Sequence, residues 1–514
     1  MTAKLTKQQI MQRVRRADAH ARRGDLRSAA IDLHPIMDQA QDMPDVVLFW
    51  ANIRAKQGHY MEAAESFRAL LKKHHGNAQL RQSLALCLRR AGKYDEALQQ
   101  IARIRESDPW NIPAVLAEVD TYATLGRRDE AFALLDDLDA NTDHGSAAPE
   151  DLARIKIISL RMRNNASEAP PAIELAKDAS LAPNTRSSLA QHAGIALQKA
   201  GQHDEAWRAM ADAKTYRQLR FSADEHETRV TRCIEFWQSD EAADLPTSAE
   251  DGSKLIFIVG MPRSGTSLLE QMLGRLPGVA PMGERSEILR AAGAFWSPAR
   301  PDLPALVASG ERMTQKNMDM LMPDVVSTLR AAAAEHVEGE PVRMIDKQVF
   351  NFMHLPLIAR MLPGAKVLHI RRHPCDTAVS CFSQWFNREH HFLKDEASLG
   401  AYYKQYLRLI DAWRELPAPA QRPEMMDVHY EALASAPEQT MRPILDFLGL
   451  DWDDAVLSPE QSDRIVRTAS RDQVREAINT AAVGRWKDYE QELEPFIEAL
   501  GRDIVDAYDP AAAP

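Results

Sequence analysis

Cysteine is scarce in this sequence, and so are long apolar runs. Four cysteines among 514 residues are too few and too scattered for a disulfide framework, and Cys375 and Cys381 lack the spacing of a zinc site. No apolar run approaches the roughly 20 residues that a membrane helix needs. Residues 1–16 contain no apolar core of a signal peptide. We therefore expect a cytoplasmic protein without a membrane span.

Positive charge is also in deficit. The formal net charge of −11 argues against a general nucleic-acid-binding protein, although it leaves room for local basic pockets. A chain of 514 residues is too long for one ordinary core, so we expect two or more domains.

A period of 34 residues organises the N-terminal half. Glycine and alanine each recur at this interval, at Gly24, Gly58, Gly92 and Gly126 and at Ala29, Ala63, Ala97 and Ala131. The period is typical of the tetratricopeptide repeat, a helical hairpin whose glycine ends or packs the first helix and whose alanine lets the second approach closely. We predict an α-helical solenoid in residues 1–240, with five or six hairpins to about 215 and then a connecting helix.

Two interpretations of this array stay open. Its concave surface can bind a protein or peptide partner, or the array only braces the second domain or forms a homodimer. Charged residues replace apolar ones in 241–254, which predicts a linker. Residues 255–514 then form the second domain, for which we predict an α/β fold of the P-loop type with a parallel sheet.

The stretch LIFIVGMPRSGTSLLE, residues 255–270, opens that domain. Its first five residues predict a buried parallel strand, and a helical pattern begins at Leu268. Such a strand–loop–helix unit directs backbone N–H groups and a helix N-terminus at an anion. The spacing from Gly260 to Gly265 matches the nucleotide P-loop, but Thr266 replaces the lysine that would reach a triphosphate. The loop cation and hydroxyls instead suit a compact anion such as a 5′-phosphosulfate; they belong to Arg263, Ser264, Thr266 and Ser267.

Charged residues also follow the next predicted elements. Glu284 comes soon after the first helix, near the mouth of the next strand, where α/β folds place ligands. A second interpretation, an acid that favours the helix macrodipole, is compatible with the first. Lys347 follows a predicted strand at 342–345 and can supply positive charge to a leaving phosphate.

A second anion site is predicted after the strand at 366–370. Arg372 lies at the end of this strand, and a helix capped by Asp376 or Thr377 brings Ser380 within reach. An arginine fork with a nearby hydroxyl makes a phosphate site. Two separate anion sites without a P-loop lysine predict a nucleotide that is phosphorylated at both ends of its ribose.

These motifs resemble sulfotransferases that use 3′-phosphoadenylyl sulfate (PAPS), most closely the tyrosylprotein sulfotransferases and bacterial sulfotransferases with N-terminal tetratricopeptide repeats. PRSGTS after a buried strand and Arg-x-Pro-x5-Ser carry the resemblance, which covers about residues 254–500. It implies PAPS as co-substrate and no metal. It also implies that Arg372 and Ser380 bind the 3′-phosphate. The phosphosulfate is then bound by the loop residues Arg263, Ser264, Gly265, Thr266 and Ser267.

The resemblance also implies catalytic roles for three residues. Glu284 matches the general base, with Glu287 as a rival one helical turn away, and Lys347 matches the residue that assists the leaving group. Ser470 matches the catalytic serine.

Three further positions follow from the same resemblance. Tyr430 is expected beside the adenine, while Arg475 and Arg485 belong to the C-terminal cofactor loop. Gln384 departs from the tyrosylprotein enzymes, which carry an arginine there, and weakens one expected cofactor contact.

The resulting hypothesis is a sulfotransferase that acts on an acceptor hydroxyl, on a peptide or carrier-bound substrate recruited by the repeats. One alternative is a P-loop kinase-like phosphotransferase with Asp346 as its magnesium-binding acid, against which Thr266 counts heavily. The other is a non-catalytic repeat scaffold.

Overall fold

The computed structural model describes residues 5–22, 26–142, 147–295, 313–386, 390–416, 421–461 and 478–508. The chain divides into two compact units, one that ends at Thr185 and one that begins at Arg186.

The first unit is helical in its described residues. Its helices are α1 Lys7–Arg22, α2 Leu26–Leu33, α3 Pro44–Lys56, α4 Tyr60–Lys73, α5 Ala78–Arg90, α6 Tyr94–Arg105, α7 Ile112–Thr124, α8 Arg128–Asn141, α9 Pro149–Arg163 and α10 Ala169–Ala176.

The glycines and alanines of the 34-residue period have different tasks in these hairpins. Gly58, Gly92 and Gly126 adopt φ values of 86°, 78° and 80°, in the left-handed region that ends a helix at low cost only for glycine. An added Cβ at Gly58 or Gly126 would meet nothing within 4 Å, so backbone conformation and not close packing requires glycine. The period's alanines are instead fully buried at Ala63, Ala97 and Ala131. The predicted tetratricopeptide hairpins are confirmed.

The second unit combines helices with one sheet. Its helices are α11 Pro183–Lys199, α12 His203–Tyr216, α13 Ala223–Trp237, α14 Asp240–Ala243, α15 Thr266–Leu273, α16 Glu287–Phe295, α17 Gln315–Ala333, α18 Leu355–Met361, α19 Pro374–Phe382, α20 Glu396–Arg414, α21 Tyr430–Ser435, α22 Pro437–Leu448, α23 Glu494–Leu500 and α24 Arg502–Asp506. Its strands are β1 Leu255–Gly260, β2 Val279–Pro281, β3 Arg343–Asp346, β4 Lys366–Arg371 and β5 Glu424–His429.

The five strands found in the described residues run parallel, in the order β2-β3-β1-β4-β5. The predicted parallel sheet after a helical repeat region is thereby confirmed. β2 was not expected from the sequence, because three residues that end in proline are too few to show a strand pattern. The central strand β1 is buried along its whole length and packs with Leu269, Met272 and Leu273 of α15. Burial of each such side chain contributes about 1.5–3 kcal/mol to the stability of the fold. The loop between β1 and α15 is therefore anchored at both ends by well-packed elements.

The segment predicted as a linker is attached to the second unit by hydrogen bonds. Arg360 of α18 donates from Nη2 to the carbonyl oxygens of Ala242 and Ala243 at 3.0 and 2.6 Å. The backbone N–H groups of Ser248 and Gly252 donate to carbonyls at the end of α18 and just after it, both at 2.8 Å. Helices α12 to α14, and α11 from Arg186 onward, likewise belong to the second compact unit. The domain bounds 1–240, 241–254 and 255–514 rest on sequence pattern and stay a prediction.

None of the described helices combines the length and the apolar character that a bilayer crossing requires.

Candidate active site

The carboxyl edge of the sheet gathers the predicted site residues, because parallel strands end on the same side. The connections from β1 and β4 leave in opposite directions, and α/β folds bind ligands at such a crevice. Each strand end supplies one predicted side chain or loop. They are the Arg263 loop after β1, Glu284 after β2, Lys347 after β3, Arg372 after β4 and Tyr430 after β5.

The loop after β1 has a constrained backbone. Arg263 adopts φ 70°, a left-handed conformation that costs a non-glycine residue about 1–3 kcal/mol. Gly265 is the N-cap of α15 with φ 107°, and a Cβ there would lie 2.4 Å from Cδ2 of Tyr430. Glycine is therefore required both by conformation and by the approach of the tyrosine ring.

Hydroxyl groups line this loop. Ser264, Thr266 and Ser267 are buried, and Ser264 Oγ donates to the carbonyl oxygen of Met261 at 2.8 Å. The first N–H groups of α15 have no acceptor within their own helix. A helix start of this kind favours an anion.

Arg263, Ser380 and Arg372 are in one contact network. Arg263 Nε donates to Ser380 Oγ at 3.1 Å, and Arg372 Nη1 donates to the carbonyl oxygen of Arg263 at 3.0 Å. The two predicted anion sites are therefore adjacent, because these hydrogen bonds join the β1 loop to the β4 end. The sheet order places β4 directly beside β1, a neighbour relation that distance along the chain does not reveal.

Positive charge accumulates in this cluster. Burial, together with the charges of Arg372 and Arg485, lowers the pKa of Arg263 to about 10, so it is still a cation at neutral pH. Arg372 is buried, its guanidinium lies 4.7 Å from the centre of the Tyr430 ring, and its Nε has no partner among the described residues. Three arginines that repel one another favour a bound anion.

Asp376, which the sequence suggested as a helix cap, has another task. The cap of α19 is His373, whose Nδ1 accepts from the N–H of Cys375 at 3.3 Å. The carboxylate of Asp376 accepts from the N–H groups of Gly484 at 2.7 Å and Trp486 at 2.9 Å. It thereby holds the turn that carries Arg485. In the sequence, Asp376 is an acid near the start of a helix, and such an acid looks the same whether it caps the helix or binds a distant segment.

Glu284 and Lys347 are paired. Lys347 Nζ donates to Glu284 Oε1 at 3.0 Å; the lysine side chain is 1% exposed and that of the glutamate 51%. Lys347 is therefore not an ordinary surface lysine. Glu270 supports the arrangement, since its Oε1 accepts from the N–H of Gly283 at 2.8 Å.

Glu287 lies in a different environment. Its side chain is 4% exposed and accepts from Arg285 Nη2 at 2.7 Å and Arg290 Nη2 at 2.8 Å. Burial acts to raise the pKa of Glu287, but the two arginines prevail and lower it. This acid is the first residue of α16 and stabilises the start of that helix.

Asp346 is fully enclosed by donors. Its carboxylate accepts from the N–H groups of Arg285 at 3.2 Å and Gln348 at 3.0 Å and from Asn351 Nδ2 at 3.1 Å. Burial raises the pKa of Asp346 to about 7. Its contacts are those of a structural acid that ties the ends of β2 and β3 together.

The remaining predicted residues fall into two groups. Ser470 and Arg475 lie outside the described residues. Gln384 is within them and donates from Nε2 to the carbonyl oxygen of Trp385 at 3.0 Å.

Comparison with known proteins finds family matches in both halves of the chain. Residues 256–454 match the model of the sulfotransferase family, and residues 50–110 and 88–149 match models of the tetratricopeptide repeat.

Two similar proteins and one solved structure illustrate the likeness. An uncharacterized protein of Aquifex aeolicus (strain VF5) is 30% identical over 325 residues, 61% of this chain and 41% of the relative. Protein-tyrosine sulfotransferase 2 of Gallus gallus is 28% identical over 289 residues, 51% of this chain and 71% of the relative. The sulfotransferase domain from the Synechococcus PCC 7002 olefin synthase is 21% identical, covers 52% of this chain and 99% of its own, and has a TM-score of 0.36. The chain thus spans less than half of the Aquifex relative.

The segment that matches the sulfotransferase family contains the PRSGTS loop and most of the parallel sheet. The same chain matches the sulfotransferase family in one segment and the tetratricopeptide repeat in two segments N-terminal to it.

Proposed function

We propose that this protein transfers a sulfuryl group from PAPS to an acceptor hydroxyl. The observation that carries the proposal is the continuous cluster of Arg263, Arg372 and Ser380 between β1 and β4. Thr266 at the position of the P-loop lysine makes a nucleoside triphosphate a poorer fit.

The residues present suit PAPS, which supplies a sulfuryl group already activated by its bond to phosphate. The β1 loop, with Arg263, Ser264, Gly265, Thr266 and Ser267, would hold the phosphosulfate. The buried Nε of Arg372 has no partner among the described residues and offers a donor to the 3′-phosphate, together with Ser380.

The outer parts of the nucleotide have candidate contacts as well. Arg485 would add a third cation, and Tyr430, which packs on Gly265 and under Arg372, would flank the adenine. Ser470 and Arg475 keep their proposed roles on the strength of the sequence resemblance alone.

We assign the proton transfer to Glu284. An acceptor hydroxyl needs a carboxylate that substrate can reach, and the Glu284 side chain is 51% exposed whereas two arginines enclose Glu287. The ammonium of Lys347 would stabilise the oxygen that leaves with the phosphate.

The environment of Asp346 weighs against the kinase alternative. A magnesium-binding acid must present carboxylate oxygen to the ion, but this carboxylate already accepts from three N–H donors and is fully buried.

We further propose a cytoplasmic protein whose repeats recruit a protein or peptide acceptor. Tetratricopeptide solenoids bind partners on extended surfaces. The relative from Gallus gallus carries the name protein-tyrosine sulfotransferase 2, which indicates a protein acceptor for that enzyme. Support for the location comes from all four cysteines, which are free thiols, the usual state in a reducing compartment. A homodimer stays a second proposal for the same surface.

Nucleotide preference and sulfuryl transfer test the function in two steps. Adenosine 3′,5′-bisphosphate should raise the Tm more than ATP with magnesium at equal concentration, because ligand that binds the native state stabilises it. Radiolabelled PAPS and a lysate of the source cell should then yield a labelled acceptor. Stronger stabilisation by ATP with magnesium would contradict the proposal.

Matched variants test the base. Glu284→Gln keeps size and hydrogen bonding but cannot accept a proton, so transfer should slow by roughly 10²–10⁴-fold while bisphosphate affinity is retained. Glu287→Gln should fold less stably yet retain transfer. If Glu287→Gln is the slow variant and Glu284→Gln is normal, the base is misassigned; normal rates in both exclude a carboxylate base in this segment.

A further inference from the structure

The helix that carries Ser380 ends against buried polar side chains from α11 and α12. The last residue of α19 is Phe382, whose carbonyl oxygen accepts from Gln191 Nε2 at 2.9 Å and from Lys214 Nζ at 3.3 Å. Lys214 Nζ also donates to Gln191 Oε1 at 2.9 Å. Gln191 and Lys214 are both buried.

These contacts satisfy a carbonyl that a helix end leaves without a partner. Burial of Lys214, with the nearby charge of Arg217, lowers the pKa of the lysine to about 7. Either form of the amine has enough N–H groups for the two acceptors. Both acceptors are therefore satisfied, but apolar side chains of similar size would be cheaper to bury.

Aromatic packing fixes the same helix end laterally. The ring of Trp207 in α12 stacks on that of Phe382, with centroids 4.9 Å apart and planes 4° from parallel. Trp207 Nε1 in turn donates to Glu396 Oε1 of α20 at 2.8 Å.

A second set of contacts reaches the turn that carries Arg485. Gln198 Nε2 donates to the hydroxyl oxygen of Tyr489 at 2.8 Å and to Ser383 Oγ at 2.9 Å. His203 Nδ1 lies 3.0 Å from the same tyrosine oxygen. Tyr489 ends the 3₁₀ turn that begins at Arg485, so one helical hairpin touches both elements that bring Ser380 and Arg485 to the site.

The hairpin itself carries the repeat signature. Gly201 has φ 76° and Ala206 is fully buried, as in the hairpins of the first unit. A repeat-type hairpin is therefore built into the same compact unit as the sulfotransferase-family sheet.

We infer that Gln191 and Lys214 of this hairpin are positioning residues for the 3′-phosphate subsite, holding the end of α19 so that Ser380 stays in register with Arg263. The inference rests on the proposed function. Ser380 lies two residues before Phe382, about half a helical turn, so displacement of the helix end moves its hydroxyl away from Arg263.

The test uses the full chain and compares two nucleotides, adenosine 3′,5′-bisphosphate and adenosine 5′-monophosphate, by calorimetry. Lys214→Met and Gln191→Leu should each lower the affinity for the bisphosphate about tenfold. This is the effect of losing one hydrogen bond to a charged group, here that of Ser380 to the 3′-phosphate. The monophosphate lacks the 3′-phosphate, so its affinity should change less than twofold. Lys199→Met, at an exposed lysine of α11, is the matched control and should change neither.

Each outcome decides the inference. Selective loss of the bisphosphate in folded variants supports it. Unchanged affinity for both nucleotides, or an equal loss of both, overturns it, since the network would then serve only folding. If Lys214→Met does not fold, Gln191→Asn, which shortens the donor without removing polarity, is judged by the same ratio. Failure of the unaltered protein to prefer the bisphosphate over the monophosphate refutes the proposed function instead.

Discussion

Replacement of Asp376 by alanine should release the turn that carries Arg485. The carboxylate is buried and accepts from the N–H groups on both sides of this arginine, those of Gly484 and Trp486. Alanine removes both acceptors. The arginine itself is unchanged, so any loss of anion affinity must arise from its position.

The expected magnitude follows from these two bonds. Each hydrogen bond to a charged group contributes about 1.5–3 kcal/mol. Gly484 and Trp486 are only half-buried, so water can accept from their N–H groups in the variant. The free energy of unfolding should therefore fall by the lower end of that range. A fall in Tm of a few degrees follows. Loss of the Arg485 contact to a bound phosphate should weaken adenosine 3′,5′-bisphosphate about tenfold to a hundredfold.

Calorimetric titration of four proteins provides the assay: the unaltered chain, Asp376→Ala, Arg485→Ala and the double variant. If Asp376 acts through Arg485, the double variant should bind no worse than Arg485→Ala, because the two effects are not additive. Asp376→Asn, which keeps one acceptor oxygen, should lie between. Full additivity, or undiminished affinity in folded Asp376→Ala, would refute the reasoning.

Three further changes test other parts of the site. Arg372→Ala should weaken adenosine 3′,5′-bisphosphate about tenfold to a hundredfold in titration, whereas Arg371→Ala should not; equal effects would contradict the assignment. Gly265→Ala should lower Tm and bisphosphate affinity more than Gly339→Ala, because both glycines have positive φ but only at Gly265 would a Cβ collide with a ring. The Tm of Asp346→Asn should rise relative to that of the unaltered protein as the pH increases from 5 to 8. Because the pKa of Asp346 is raised to about 7, this residue stabilises the unaltered protein below about pH 4, and that stabilisation is lost as the pH rises through 7. A constant difference in Tm would contradict this reasoning.

Local periodicity explains which parts of the fold could be predicted from sequence. The 34-residue period predicted the hairpins because the glycine that ends a helix and the alanine that packs are both local requirements. The apolar run before PRSGTS predicted β1 for the same reason. β2 has three residues and derives its strand conformation from pairing with β3, which no local pattern encodes.

Side chains whose roles depend on long-range contacts were misread or missed. Asp376 sits in the first turn of α19, where an acid ordinarily caps, and its partners lie more than 100 residues further on. Gln191 and Lys214 lie within a repeat-like stretch, where polar side chains usually face solvent. Only the packing of α11 and α12 on α19 gives them buried acceptors.

The choice between Glu284 and Glu287 shows what structure adds to a motif. Both acids fit the sequence resemblance, and only their partners differ: two arginines enclose Glu287, while the partly exposed Glu284 has one buried lysine. Under the proposed function, that pairing couples two requirements of transfer. A proton taken from the acceptor neutralises Glu284, which weakens its attraction for Lys347 and frees the ammonium for the oxygen that leaves. Glu287 lacks both properties. Its carboxylate is buried between two arginines that stay charged, so an acceptor hydroxyl cannot reach it. Neutralising it would not release Lys347, which is paired with Glu284.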